Sequence, residues 1–400
     1  MSNSNKLLVT GAILVGVLFA GACSSSDTPG LATPTGSPGA SGGGAPAAQP
    51  VKIDITPAGD NISPVNPVVV KASGGTIDTV TVTNSAKGTK VKGDLSADKS
   101  TWTASEPLAY GTSYDVAVSA VTPDGKKSDQ TSTVKTLAPK ATAFPSFIPA
   151  PSVTEVGVGQ PIVVKFDQDI TDKAAAEKAL KVTSTPAQTG GWYWISKKEV
   201  HYRPQNYWQA GTTIKVHAGV YGVDLGGGVY GKTDRDLNLK VHDSWVAKAD
   251  GNTAHMQIYQ NGNMVKDMPI SMGKDATPTH LGAHVISDKQ RDYTMDSCTY
   301  GVCPPDPKAY RSVEHFAERM SNDGEFVHEN PNSVGAQGSS NVSHGCINLN
   351  AANAEWFFNH FGLGDVVEVT NSNGPKLPVW DTYGDWAVSW ADWQAGSALK

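Results

Sequence analysis

The 400-residue sequence predicts a mainly β protein assembled from several globular units in series. Three observations carry that reading. At about 150 residues per domain, a chain of this length divides into two to three units. Its 41 Gly and 25 Pro interrupt the sequence too often for long helices and suit short strands joined by turns. Hydrophobic residues make up 39% and charged residues 18%, enough apolar surface for more than one core. The formal charge of −6 is spread along the chain, without the basic stripe of a nucleic-acid binder, so no nucleic-acid partner is expected.

Lys6 precedes an apolar run over residues 7–22, too short to span a bilayer comfortably but right for the core of a signal peptide, so residues 1–22 predict export. The run ends in Leu18-Phe19-Ala20-Gly21-Ala22-Cys23, which resembles the lipobox of bacterial lipoproteins. That resemblance implies lipidation of Cys23 and anchoring at the outer face of the cell membrane. A plain secretory cut near Ala20 to Ala22 is the alternative. Residues 24–49 are Ser, Gly, Ala, Pro and Thr with almost no large apolar side chain, and cannot bury enough surface to fold. Residues 23–50 therefore read as the lipidated cysteine and a flexible linker of roughly 30 Å mean span.

Residues 51–138 carry short alternating runs, among them 68–71, 79–82 and 114–121, separated by turn residues such as Pro123-Asp124-Gly125. Residues 139–243 echo them. Pro161-Ile162-Val163-Val164-Lys165 matches Pro67-Val68-Val69-Val70-Lys71, and the Gly-Thr starts at Gly211 and Gly111 lead into similar strands. The two stretches resemble immunoglobulin-like β-sandwich modules in series, without a cysteine pair. Trp192, Tyr193, Trp194, Tyr202, Tyr207 and Trp208 read first as core or interdomain packing and second as a glycan-stacking platform.

Residues 244–371 form a third, β-rich unit. Asn350 is a plausible N-cap for a short helix over 351–361, with Ala354, Trp356, Phe357 and Phe361 at helical spacing. Residues 372–400 form a Trp-rich tail whose Trp380, Trp386, Trp390 and Trp393 should dock back on folded structure, bracing the catalytic unit.

Setting Cys23 aside leaves Cys298, Cys303 and Cys346 in an oxidising compartment, so one thiol must be unpaired. Cys298 and Cys303 flank Gly301 and precede Pro304-Pro305, a composition that can turn the chain into disulfide range, for a gain of about 2 kcal/mol. Cys346 stays free. It lies in Ser343-His344-Gly345-Cys346-Ile347-Asn348, where Gly345 lets a substrate backbone approach the sulfur. A thiol needs a basic neighbour to react at neutral pH, and His328 and His344 are the candidates.

This run, with His328 eighteen positions before Cys346, resembles the active-site signature of L,D-transpeptidases. The similarity extends over Ser271-Met272-Gly273-Lys274-Asp275-Ala276-Thr277-Pro278-Thr279, Met295-Asp296-Ser297, Thr299-Tyr300-Gly301, Phe326-Val327-His328 and residues 333–338. The resemblance implies a two-step acyl transfer. Cys346 attacks the carbonyl before the terminal D-Ala of a peptidoglycan tetrapeptide stem, and an amine of a second stem resolves the thioester into a 3-to-3 cross-link. His328 would be the general base, oriented by the Glu329 backbone carbonyl. His344 would support the site, and the N–H groups of Gly345 and Cys346 would be oxyanion donors. By the same matching, Met295, Tyr300, Tyr310, Gly324, Ser343 and Asn348 would line the substrate cleft, with residues 299–320 as a lid. Carbapenem-type β-lactams would be covalent inhibitors.

No cofactor is expected. His280 and His284 have a spacing that metal ligands use, but no Asp, Glu or second Cys nearby in sequence completes a tetrahedral set, so no metal is expected either. Asn332, where related enzymes often carry Trp, and His280 are departures that bear on substrate preference. The rivals are a hydrolase that gives the acyl group to water and a wall-binding lipoprotein with an idle cysteine.

Overall fold

The structure is a computed structural model that describes residues 49–307 and 309–399, with Tyr300 described by its backbone alone. The expected signal peptide, Cys23 and nearly all of the linker lie outside the described residues.

Alternation builds the first sandwich. In the strand Ser113–Val121, Tyr114, Val116, Val118 and Ala120 point into the core while their neighbours stay more exposed. That strand pairs with Thr76–Asn84 and Lys127–Thr136, and Gly59–Ile62 completes the sheet. The facing sheet runs Lys52–Thr56, Val69–Ser73, Thr101–Ala104, Gly93–Leu95, and Trp102 fills the space between the two. The second sandwich repeats the plan. Pro145–Ile148, Ile162–Phe166, Glu199–Pro204 and Gly190–Trp194 face Glu155–Val156, Arg235–Val241, Thr213–Ala218 and Leu180–Thr185. It also holds a helix that the strand pattern did not predict, Lys173–Ala179, capped by the Asp172 carboxylate on the Ala175 N–H. The aromatic cluster is packing: Trp192, Trp194 and Trp208 are buried in this core, and Tyr193 and Tyr207 meet the tail.

The third unit has two sheets and one helix. A five-stranded sheet is ordered Asn263–Pro269, His255–Gln260, Trp245–Asp250, Val366–Thr370, Gly282–Val285. A four-stranded sheet is ordered Asp288–Asp296, Arg311–Arg319, Phe326–Glu329, Ile347–Leu349. The helix Ala351–His360 starts as expected, with Asn350 Oδ1 accepting from the Asn353 N–H at 2.9 Å and Ala354 and Phe357 turned inward. Met256, Ile258, Val327, Ile347 and Phe357 share one core.

The second sandwich and the third unit touch backbone to backbone. Gly157 N–H donates to Leu363 O and Gly159 N–H to Gly364 O, each at 2.8 Å. A Cβ on Gly157 would strike the 364–365 backbone, and one on Gly364 would stand 2.6 Å from Gly157 N, so both positions need glycine.

The tail braces the catalytic unit, as the sequence suggested, with Leu281 N–H donating to Pro375 O at 2.8 Å and Leu377 N–H to Leu281 O at 3.1 Å. It also docks on the second sandwich, because aromatic and charged partners wait there. Trp386 Nε1 donates to Gly159 O and Trp393 Nε1 to Gly191 O, each at 2.8 Å. The Arg203 guanidinium lies over the rings of Trp386 and Trp393, 4.7 and 4.6 Å from their centroids. Trp380 is 67% exposed, so the expectation that all four tryptophans are covered fails there. The contact with the third unit also includes Asn373 Nδ2 donating to Asp275 Oδ1 at 2.7 Å and Asn322 N–H donating to Asp381 Oδ1 at 2.6 Å.

Beneath the tail, buried His201 bridges Asp385 at 2.7 Å and Glu199 at 3.0 Å. Burial alone would lower its pKa, but the Asp385 charge and hydrogen bond, with those of Glu199, raise it from 6.5 to about 9. A raised histidine pKa stabilises fully below the unfolded value and loses that contribution as pH climbs through the folded one. Tail docking should therefore hold up to about pH 6.5 and weaken toward about pH 9. Thermal unfolding from pH 6 to 10 checks this. Asp385→Asn should lower the melting temperature at the acid end and converge on wild type at the alkaline end, and parallel curves would refute the linkage.

Candidate active site

Two parallel strands set the site. Phe326–Glu329 and Ile347–Leu349 pair with His328 opposite Asn348. Because side chains alternate along a strand, Val327, Ile347 and Leu349 enter the core while His328 and Asn348 face a cleft. Cys346 sits at the head of its strand, 8% exposed, as the free cysteine among the described residues.

The turn before Cys346 is pinned from several sides. Gly345 has φ +127°, which a residue with a side chain would adopt only under strain. Ser343 Oγ donates to Cys346 O at 2.6 Å and accepts the Gly345 N–H at 3.1 Å. Thr279 Oγ1 donates to Gly345 O at 2.7 Å and Thr277 Oγ1 to Ser343 O at 3.1 Å. Two expectations change here. The Gly345 N–H already donates to Ser343, so it is not free for an oxyanion, and the Ser343 hydroxyl is a strut of the turn although the residue also borders the cleft. Gly324 does not line the cavity with its backbone face but offers its carbonyl to Cys346 Sγ at 3.5 Å.

His328 is 3% exposed, and its Nδ1–H donates to Glu329 O at 2.7 Å. The Glu314 carboxylate stands 3.2 Å from the same nitrogen. With Nδ1 engaged, Nε2 is the ring nitrogen left for the sulfur. Burial pulls the imidazole pKa down, yet hydrogen bonds with Cys346 and Glu314 and their charges outweigh it and lift it to about 10. The ring is thus cationic at neutral pH. His344 differs: it lies at the exposed rim, accepting from Lys274 Nζ at 3.2 Å, and partial burial and the lysine charge hold it below the usual histidine range.

Around this pair opens a cavity of about 720 Å³. Met295, Tyr310, Ser343, Asn348 and His344 border it, as does Asn332. Buried Asn348 Oδ1 has no hydrogen-bond partner. The Tyr300 side chain lies outside the described residues. Cys298 and Cys303 are bonded, with Cα atoms 4.4 Å apart. Within the stretch 299–320, read from the sequence as a lid, Arg311–Arg319 is instead a regular strand paired with Asp288–Asp296.

The reason given against a metal also needs correction, since the fold brings carboxylates to His280 that are distant in sequence. His280, Asp323 and Glu325 place ligand-type atoms within 4.8 Å of one another. Glu325 is an acceptor there, at 2.8 Å from the His280 N–H, 3.0 Å from His280 Nδ1 and 3.1 Å from His284 Nε2. This buried network backs the Gly345 turn from below.

Sequence reasoning missed Glu314 and the clamping roles of Thr277 and Thr279. The threonines stand in the run that carried the family resemblance, but nothing in a linear pattern says which hydroxyl reaches which carbonyl. Glu314 and Ser312 share a strand face by simple alternation, a signal hidden by reading that stretch as a lid.

Residues 244–369 match the family of L,D-transpeptidase catalytic domains, and residues 59–224 match the bacterial Ig domain family. L,D-transpeptidase 2 of Mycobacterium tuberculosis is 41% identical over 332 residues, 83% of this chain and 81% of that protein. L,D-transpeptidase 5 of the same species is 38% identical over 347 residues, 85% of this chain and 75% of that protein. A solved structure of the LD transpeptidase LdtMt1 in complex with imipenem superposes with a TM-score of 0.51 at 31% identity, covering 58% of this chain and 100% of that one. The cleft around Cys346 and His328 lies wholly within the matched catalytic region. With two sandwiches in front of it and similarity along most of its length, the chain belongs to the L,D-transpeptidases.

Proposed function

We propose that this enzyme forms 3-to-3 cross-links between peptidoglycan stems through a thioester on Cys346. One observation carries the reading: a free cysteine and a buried imidazole, cationic at neutral pH, meet at the wall of a cleft. The thiolate is the nucleophilic form of cysteine, and His328 is its counter-ion. The sulfur attacks the carbonyl carbon that precedes the terminal D-Ala of a tetrapeptide stem. As the C–N bond breaks, His328 Nε2 gives its proton to the leaving amine and D-Ala departs. The neutral imidazole then takes a proton from the acceptor amine of a second stem as that nitrogen attacks the thioester. The C–S bond breaks, and the thiolate and imidazolium are restored.

The Glu329 carbonyl fixes the tautomer, so the proton is exchanged at Nε2 alone. The Cys346 N–H is the expected oxyanion donor, now without Gly345. Asn348 Oδ1, buried and without a donor, suits a stem-peptide amide, and Met295 and Tyr310 supply the cleft's apolar and aromatic walls. None of these steps calls on a cofactor. The imipenem complex of the solved relative supports carbapenems as acylating inhibitors of this chain. The leader and lipobox support action outside the cytoplasmic membrane, tethered through Cys23.

Incubation with imipenem should add one drug mass to the intact protein, and Cys346→Ala should abolish the adduct. His328→Ala should slow acylation by about 10²–10⁴-fold. An adduct that survives loss of Cys346 would sink the mechanism. Incubation with tetrapeptide stems should release D-Ala and yield a cross-linked dimer by mass spectrometry. Release without dimer would make the enzyme a carboxypeptidase. In cells, Cys23→Ser should move the protein from the membrane fraction to the soluble one, and unchanged fractionation would remove the lipid anchor from the proposal.

A further inference from the structure

Glu314 is tied down at both carboxylate oxygens. Ser312 Oγ donates to Oε1 at 2.6 Å, and Oε2 faces His328 Nδ1 at 3.2 Å. Its backbone belongs to the strand Arg311–Arg319, in register with Tyr293, so the carboxylate is held by a sheet and not by a loop. The side chain is 16% exposed and forms part of the cleft wall.

Among the described residues, the surrounding charges leave this carboxylate His328 as its cationic partner within bonding distance. His315, next to it on the strand, is engaged by Asp292 at 2.5 Å. Across the cavity, Lys274 and His344 pair with each other at 3.2 Å. Cys346 interacts with the same imidazole. Glu329 already orients the ring through a neutral carbonyl, which supplies a dipole. A carboxylate supplies a full charge, and hydrogen bonds to ionised acceptors are roughly twice as strong as neutral ones.

We propose that Glu314 is a positioning residue for the reaction, the third member of a Cys346–His328–Glu314 set, whose carboxylate holds the imidazole in its charged form while Glu329 holds its orientation. This inference rests on Cys346 and His328 being the reacting pair. Glu314 stays ionised throughout and takes no proton. It keeps His328 able to protonate the departing D-Ala amine at pH values where an isolated histidine would be neutral. Burial works against the Glu314 charge, but His328 and Ser312 outweigh it and keep the carboxyl below its ordinary range.

The test uses the purified full-length chain in detergent, following Cys346 acylation by imipenem and D-Ala release from pH 5 to 11. Glu314→Gln keeps the shape and an acceptor oxygen but removes the charge. It should leave KM unchanged and move the alkaline limb of the profile about one to two units toward acid, so that the rate near pH 10 falls about tenfold. Glu314→Asp, which keeps the charge one methylene further back, should restore part of both, and it carries the test if the Gln variant does not fold. A profile for the charge-removed variant that overlays wild type overturns the proposal. So does a loss confined to KM with an unmoved limb, which would make Glu314 a substrate contact. Failure of the underlying pair is read separately, from an adduct that persists in Cys346→Ala.

Discussion

The site depends on one pairing, the parallel alignment of Phe326–Glu329 with Ile347–Leu349. Register in a half-buried sheet is strongly fixed, because a slip of one residue turns the apolar face outward. Here such a slip would drive His328 into the core and Val327 into the cleft. The same apolar side chains that bury Val327, Ile347 and Leu349 therefore align the imidazole with the sulfur. Packing energy sets the catalytic geometry, and the hydrogen bonds of the turn refine it.

Around that alignment the protein distributes distinct tasks over neighbouring groups. The 277–279 threonines and the Ser343 hydroxyl shape the turn, so that Gly345 can hold a backbone conformation which leaves the sulfur approachable. The Glu329 carbonyl and Glu314 carboxylate act on one nitrogen, and the sulfur interacts with the same ring. Partial burial and Lys274 hold His344 below the usual histidine range at the rim while His328 is raised, so the two motif histidines are pushed in opposite directions within one cleft. Residue type alone does not separate them. Burial and the sign of the nearest charge do.

Much of this was legible in the sequence, for reasons that can be named. Strand alternation in 113–121, the Asn350 cap and the Cys298–Cys303 spacing are local, and local physics suffices for them. The Cys346 run carried the family in six residues. What escaped was long-range. The helix Lys173–Ala179 lay inside a stretch dominated by strand signals. The tail's second dock, on the sandwich where Arg203, Tyr193 and His201 gather, escaped too, because no linear pattern reveals that gathering. The company of His280 was misjudged for the same reason, since Glu325 is 45 positions away.

The glycine contact between the second sandwich and the catalytic unit has a mechanical corollary. Two main chains that touch through Gly157 and Gly364 share short hydrogen bonds, and Val366 of the catalytic unit packs into the sandwich core beside them, so the joint resists shear as a weld does. The neighbouring sandwich then serves the enzyme as fixed mounting.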